Sequence, residues 1–183
     1  MSNTNQKFSL NSFSFLFSEL IQYSQNRVDG IQDLEKKLNE IGKRVGIRAL
    51  EILTLRGKGG LFSAKREIRV QDLLTFISTI LWQFLFDKAV DAFERSTESP
   101  EEYMLSDNEP LFIRYISVPK ELSQFNANAF VAGIVEGVLQ AGQYPCRVTA
   151  HSVPAPGFPS RTTILIKLDA SILEREAQLN RFK

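Results

Sequence analysis

The chain has 183 residues, 43% of them hydrophobic and 23% charged, the proportions of an ordinary globular domain with room for a sizeable core. A net charge of +1 argues against nucleic acid as the main partner, because such domains carry a clear basic excess. The lone cysteine, Cys146, excludes an internal disulfide framework and suits a reducing compartment.

In chain order, residues 1–10 read as a loose tail and 11–183 as a single α+β domain. Met1 to Gln6 is polar and has no basic segment followed by an apolar run, so no secretory signal is expected. Phe13, Leu16, Phe17, Leu20 and Ile21 share one helical face, with Asn11 or Ser12 as the cap. Phe15 lies off that stripe. So many phenylalanines close together serve either the core or a face turned to another subunit, where aromatics are enriched.

A second helix is expected over roughly Ile31 to Leu55. Ile31, Leu34, Leu38, Ile41 and Val45 make a narrow seam for another helix, with Glu35, Lys36, Lys37, Glu40, Lys43 and Arg44 at solvated positions. Gly42 and Gly46 sit one turn apart, each costing about 1 kcal/mol relative to alanine in a helix interior. They make either a flat groove for another backbone or a kink. Arg56 to Arg69 reads as a loop with Gly57, Gly59 and Gly60 at its start and Arg56, Lys58, Lys65, Arg66 and Arg69 against one acid, Glu67. It lacks the spacing of a nucleotide-binding loop, which leaves a solvated surface loop or a basic edge on an anionic membrane.

A third helix, Gln71 to Phe86, carries no charge from Leu73 onward and is too short to span a bilayer. Val90–Ser96 and Tyr103–Asp107 flank a turn-like Thr97-Glu98-Ser99-Pro100 and read as a hairpin. Glu109 to Leu122 is a crossing segment in which Pro110 and Pro119 prevent a continuous helix. The most apolar helix runs from Asn126 to Gly142. Glu136 is its only charge, while Ala129, Ala132, Gly133 and Gly137 keep part of its surface small, so it is expected to be buried on more than one side. Strands follow over Arg147–Val153 and Thr162–Leu168, separated by Pro154, Pro156, Gly157 and Pro159, and a short helix, Ile172–Asn180, ends the order. This order is α+β, with helices packed on one antiparallel sheet.

Catalytic equipment is sparse. Cys146 and His151 fall on opposite faces of one strand and cannot form a local nucleophile pair. No histidine–cysteine cluster suits zinc. No cofactor and no catalytic residues are expected, and an interaction protein is favoured over an enzyme. The alternative is a free-standing acyl-chain or small-molecule binder, using a cavity beneath Leu73 to Phe86.

Several segments together resemble the small α/β subunits of the transport protein particle (TRAPP). They are Phe17–Tyr23, Gly42-Lys43-Arg44-Val45-Gly46-Ile47-Arg48, Tyr115–Glu121, Ala132–Leu139 and Val148-Thr149-Ala150-His151. The resemblance covers about residues 11 to 180 and implies helices on one face of a four-stranded antiparallel sheet. It also implies a scaffold role in a vesicle-tethering complex between endoplasmic reticulum and Golgi, supporting nucleotide exchange on a Rab GTPase contacted indirectly. The implied partners are the acylated small subunit, met through the first two helices, and a sedlin-like longin subunit. That makes Phe13, Phe17, Leu20, Ile31, Leu34, Leu38, Ile41, Gly42, Val45 and Gly46 the expected partner interface. Lys58, Lys65, Arg66 and Arg69 become a membrane-facing basic set, with the chain in the cytoplasm, peripheral to Golgi and endoplasmic reticulum membranes. A leucine at Gly46 is accordingly expected to spare the fold and block the partner. The loop at about Gly59–Lys65 lacks the acylated relative's cysteine, and the Pro154–Arg161 connector is longer and richer in proline than the family pattern.

Overall fold

The computed structural model describes residues 10–56, 69–114, 116–118, 122 and 124–181. The tail expected over 1–10, save Leu10, lies outside them, as do Lys58, Lys65 and Arg66 of the basic loop.

Helix α1 (Leu10–Gln25) and helix α2 (Ile31–Arg56) are joined by a short turn and pack on each other. The expected third helix forms as α3 (Val70–Phe76), a π turn (Ile77–Leu81) and α4 (Trp82–Phe86). Around the widened turn Ser78 Oγ and Thr79 Oγ1 both donate to the carbonyl of Thr75, at 3.0 and 2.7 Å. The Ser78 carbonyl accepts the N–H of Val90 at 3.1 Å, tying this segment to the start of the sheet.

Strands β1 (Ala92–Arg95), β2 (Glu102–Asp107), β3 (Cys146–Ser152) and β4 (Thr162–Leu168) form one antiparallel sheet in the order β1-β2-β4-β3. The first hairpin is tighter than its sequence suggests. Arg95 donates twice to the Pro100 carbonyl, at 3.1 and 2.8 Å, and the Ser99 N–H donates to Ser96 Oγ. The proline-rich connector between β3 and β4 is built from turns. The carbonyl of Ala155 accepts the N–H of Phe158 at 2.8 Å, with Pro156 and Gly157 between them and Gly157 at φ +82°. That positive φ at the third position is the requirement of a type II turn.

Helix α5 (Ala129–Ala141) occupies the centre, between α2 and the β3–β4 side of the sheet, and its residues from Ala129 to Leu139 are all buried. It begins later than Asn126 because the Asn126 side chain accepts the N–H of Asn128 at 2.9 Å, holding these residues in a turn. At its end the residue with positive φ is Gln143 (φ 68°), not Gly142. Tyr144 N–H donates to the Leu139 carbonyl and Gln143 N–H to that of Gln140, the paired bonds of a Schellman ending. Gly142 instead lies where a Cβ would crowd Leu73 Cδ2 at 3.1 Å. Helix α6 (Ala170–Arg181) closes the chain.

Candidate partner interface

The two central helices meet backbone to backbone. A Cβ added at Gly42 would strike the Phe130 carbonyl oxygen, and one at Gly46 that of Ile134. From the other side, a Cβ at Gly133 would strike the carbonyl of Asn39 and one at Gly137 that of Lys43. Two small-residue stripes thus interlock, one on α2 and one on α5, and only glycine allows so close an approach. The groove read from Gly42 and Gly46 exists, but the backbone that fills it is the chain's own. Around it, Glu136 takes Lys43 Nζ at 2.8 Å, Asn39 Nδ2 at 3.1 Å and Gln140 Nε2 at 3.1 Å, so the single charge of α5 is paired and hydrogen-bonded.

This geometry redraws the expected partner interface. Phe17, Leu34, Leu38, Gly42 and Gly46 are buried within the chain, and Phe13, Leu20, Ile31 and Ile41 are partly buried against the same core. Of that set only Val45 is exposed. Phe13 and Phe17 are held by Phe112, each with ring centroids 5.0 Å from it, and Phe17 also meets Phe130 at 5.3 Å. Phe112, on the proline-marked crossing segment, carried no periodic signal and was missed. Leu16, on the same helical stripe of α1, is exposed.

The outward faces of the same helices carry a different set. Phe15 is 75% exposed and Leu16 67%, with Tyr23 beyond them on α1. On α2, Val45, Ile47, Ile52 and Leu55 are exposed, Leu55 at 66%. Ile41, Val45, Ile52 and Leu55 follow a second helical spacing on α2, interrupted by Arg48, which pairs with Glu51 at 2.8 Å. That second spacing was the available sequence signal. Scattered exposed apolar residues are ordinary, whereas a concentration of large ones on two packed helices is the kind of feature that interaction surfaces share.

The remaining candidates resolve as follows. Arg69, expected among the membrane-facing cations, is turned inward, with Nη1 3.3 Å from Glu176 Oε2 and Nη2 donating to the Leu179 carbonyl at 3.1 Å. His151 is exposed on β3 and bonds Thr149 Oγ1 at 2.8 Å. Cys146 sits at the start of β3. Burial pushes its thiol up to about 12, the Glu136 carboxylate adds to the rise, and the Lys43 ammonium opposes it. A thiol so held is a poor nucleophile. At the Trp82–Phe86 end of the third helical segment, where the acyl-binder alternative needs a cavity, the rings of Trp82, Phe86 and Phe112 pack together and the cavity they line holds about 10 Å³. Ligand pockets run to roughly 300 Å³ or more, so an acyl chain does not fit there. Among the described residues no histidine, cysteine and carboxylate group is arranged to hold a metal, and no helix is long and apolar enough to cross a membrane.

A four-stranded antiparallel sheet with a buried glycine-bearing helix against it and further helices outside makes this an α+β protein. The chain belongs to the transport protein particle (TRAPP) component family, whose model matches residues 13–169. It is 47% identical over 173 residues to trafficking protein particle complex subunit 5 of Dictyostelium discoideum, covering 93% of this chain and 90% of that relative. The Homo sapiens protein of the same name is 39% identical over 171 residues, covering 93% and 86%. A trafficking protein particle complex subunit 3 from Naegleria fowleri, solved covalently bound to palmitic acid, shares the fold. It superposes with a TM-score of 0.69 at 15% identity, covering 87% of this chain and 95% of that one.

Proposed function

We propose that this chain is a non-catalytic scaffold subunit of a TRAPP vesicle-tethering assembly and binds another small subunit through the outward faces of α1 and α2. The observation that carries the reading is the exposure of Phe15, Leu16 and Tyr23 on α1 together with Val45, Ile52 and Leu55 on α2. Large apolar and aromatic side chains of this kind supply the buried centre of an interface. The family membership supports the finer part of the proposal. There the neighbours are the acylated small subunit and a sedlin-like longin subunit, and the assembly supports Rab nucleotide exchange in transport from endoplasmic reticulum to Golgi. In this reading the chain acts by assembly, peripheral to those membranes.

The test is affinity purification of the tagged chain from its own cells, with mass spectrometry of what accompanies it. The native chain should bring down other TRAPP subunits and Rab exchange activity. Leu16→Glu/Leu55→Glu should stay within about 0.5 kcal/mol of native stability, since both positions are on the surface. It should nevertheless lose its neighbour by about thirtyfold or more in affinity, the loss of about 2 kcal/mol expected when a hot spot is broken. Full recovery of the neighbour with that variant would refute the surface.

A secondary element of the proposal is that Lys58, Lys65 and Arg66 add attraction to anionic lipid, about 1 kcal/mol per residue near the surface. Reversing the three to glutamate should lower exchange on anionic liposomes, less so as salt rises, and leave exchange in solution unchanged. A loss in solution with the complex intact would show contact with the GTPase instead.

A further inference from the structure

At the C-terminal end of the third helical segment two buried polar groups stand beside one small cavity. Trp82 and Asn128 are 2% and 1% exposed. Among the described residues no group bonds the indole Nε1 of Trp82 or the amide Oδ1 of Asn128. Both residues line the same cavity of about 10 Å³, and Asp107 and Thr162 also contribute to its wall.

The two atoms are complementary in kind, because an indole N–H only donates and an amide oxygen only accepts. The neighbouring bonds fix which way the amide points. Thr162 Oγ1 donates to the Ser160 carbonyl at 3.4 Å, so its oxygen is free to accept, and it accepts Asn128 Nδ2 at 2.9 Å. The backbone N–H of Asn128 is engaged by Asn126 Oδ1. The Oδ1 of Asn128 is left over, on a residue that lines the cavity. Buried polar atoms without partners are rare because leaving them so is costly. A volume of about 10 Å³ matches one water and nothing larger, and a buried water needs two to four polar partners.

We propose that this cavity is a single-water site. The water accepts from Trp82 Nε1–H and donates to Asn128 Oδ1, with Asp107 and Thr162 close by for its remaining bonds. It joins α4 to the entrance of α5 and to the ends of β2 and β4. The space beneath the third helical segment is then a hydrated polar joint rather than a reduced acyl pocket, a conclusion independent of the partner surface proposed above.

The chain has one tryptophan, so Trp82 gives the only indole N–H signal in the nitrogen-correlated NMR spectrum of the full-length protein. That proton should show a nuclear Overhauser effect to water. A crystal structure of the same protein should carry a solvent peak within hydrogen-bond distance of both Trp82 Nε1 and Asn128 Oδ1. An indole proton with no transfer from water overturns the proposal, and so does a map in which Trp82 Nε1 bonds a protein carbonyl or the space is empty.

Discussion

Phe17 and Phe15 stand two positions apart on α1, one 2% exposed and the other 75%. The same division runs down α2, where Leu34, Leu38, Gly42 and Gly46 face inward while Val45, Ile52 and Leu55 face out. On the inner face the chain has removed side chains, so that α2 and α5 touch through backbone. On the outer face it displays large apolar side chains that none of the described residues covers. The difference separates two jobs that one pair of helices performs. The inner face makes the fold cohere, and the outer face is the one proposed to bind. A substitution should therefore declare its face by what it breaks.

The largest effect is expected on the inner face. Gly46→Leu drives a branched side chain into the Ile134 carbonyl, where backbone and not a flexible side chain must give way. Overpacking a tight core costs about 3 kcal/mol or more when the backbone cannot move. Urea unfolding followed by circular dichroism should show this loss. A variant as stable as the native chain would put Gly46 back at a partner surface and blur the two faces.

A moderate effect should follow from opening a cavity rather than forcing a clash. Leu38→Ala removes a fully buried side chain from the same inner face, at a cost of about 2–5 kcal/mol. At a temperature where it remains folded, it should still recover its neighbour, which separates stability from binding. Loss of the neighbour by the folded variant would mean that the inner and outer faces are coupled.

The smallest effect concerns the edge of the inner region. The Cys146 thiol is raised from 9.0 to about 12 by burial and by Glu136. The native thiol therefore keeps its proton where the unfolded chain has lost it. Its contribution to stability is complete below pH 9.0 and falls away as pH climbs towards about 12. Thiol labelling near pH 8 should be slow for the native protein and fast once it is denatured. Equal rates would show that the inner region is open at β3.

How much of this the sequence disclosed follows from the kinds of signal involved. Strand β4 and the start of α2 were readable to the residue, because alternation and 3.6-residue periodicity are local patterns. So was the burial of α5, from the near absence of charge along it. What Gly42 and Gly46 touch was not readable. A glycine pair states that a backbone comes close, but not whether it belongs to the same chain, and the partner here lies far along the sequence at Phe130 and Ile134. The inward turn of Arg69 depends on Glu176, and the aromatic joint depends on Phe112, contacts that no periodic pattern encodes. The stripe of α1 left core and partner face open as alternatives, and the structure divides it, with Phe17 buried and Leu16 exposed at its edge.

The most direct measurement of the two-face account is hydroxyl-radical footprinting of the chain alone and within its purified complex, read residue by residue by mass spectrometry. The account predicts that Phe15, Leu16, Tyr23 and Leu55 are oxidised in the isolated chain and protected in the complex, while Phe17 and Leu38 are protected in both. Equal oxidation of the four outer residues in the two samples would contradict it.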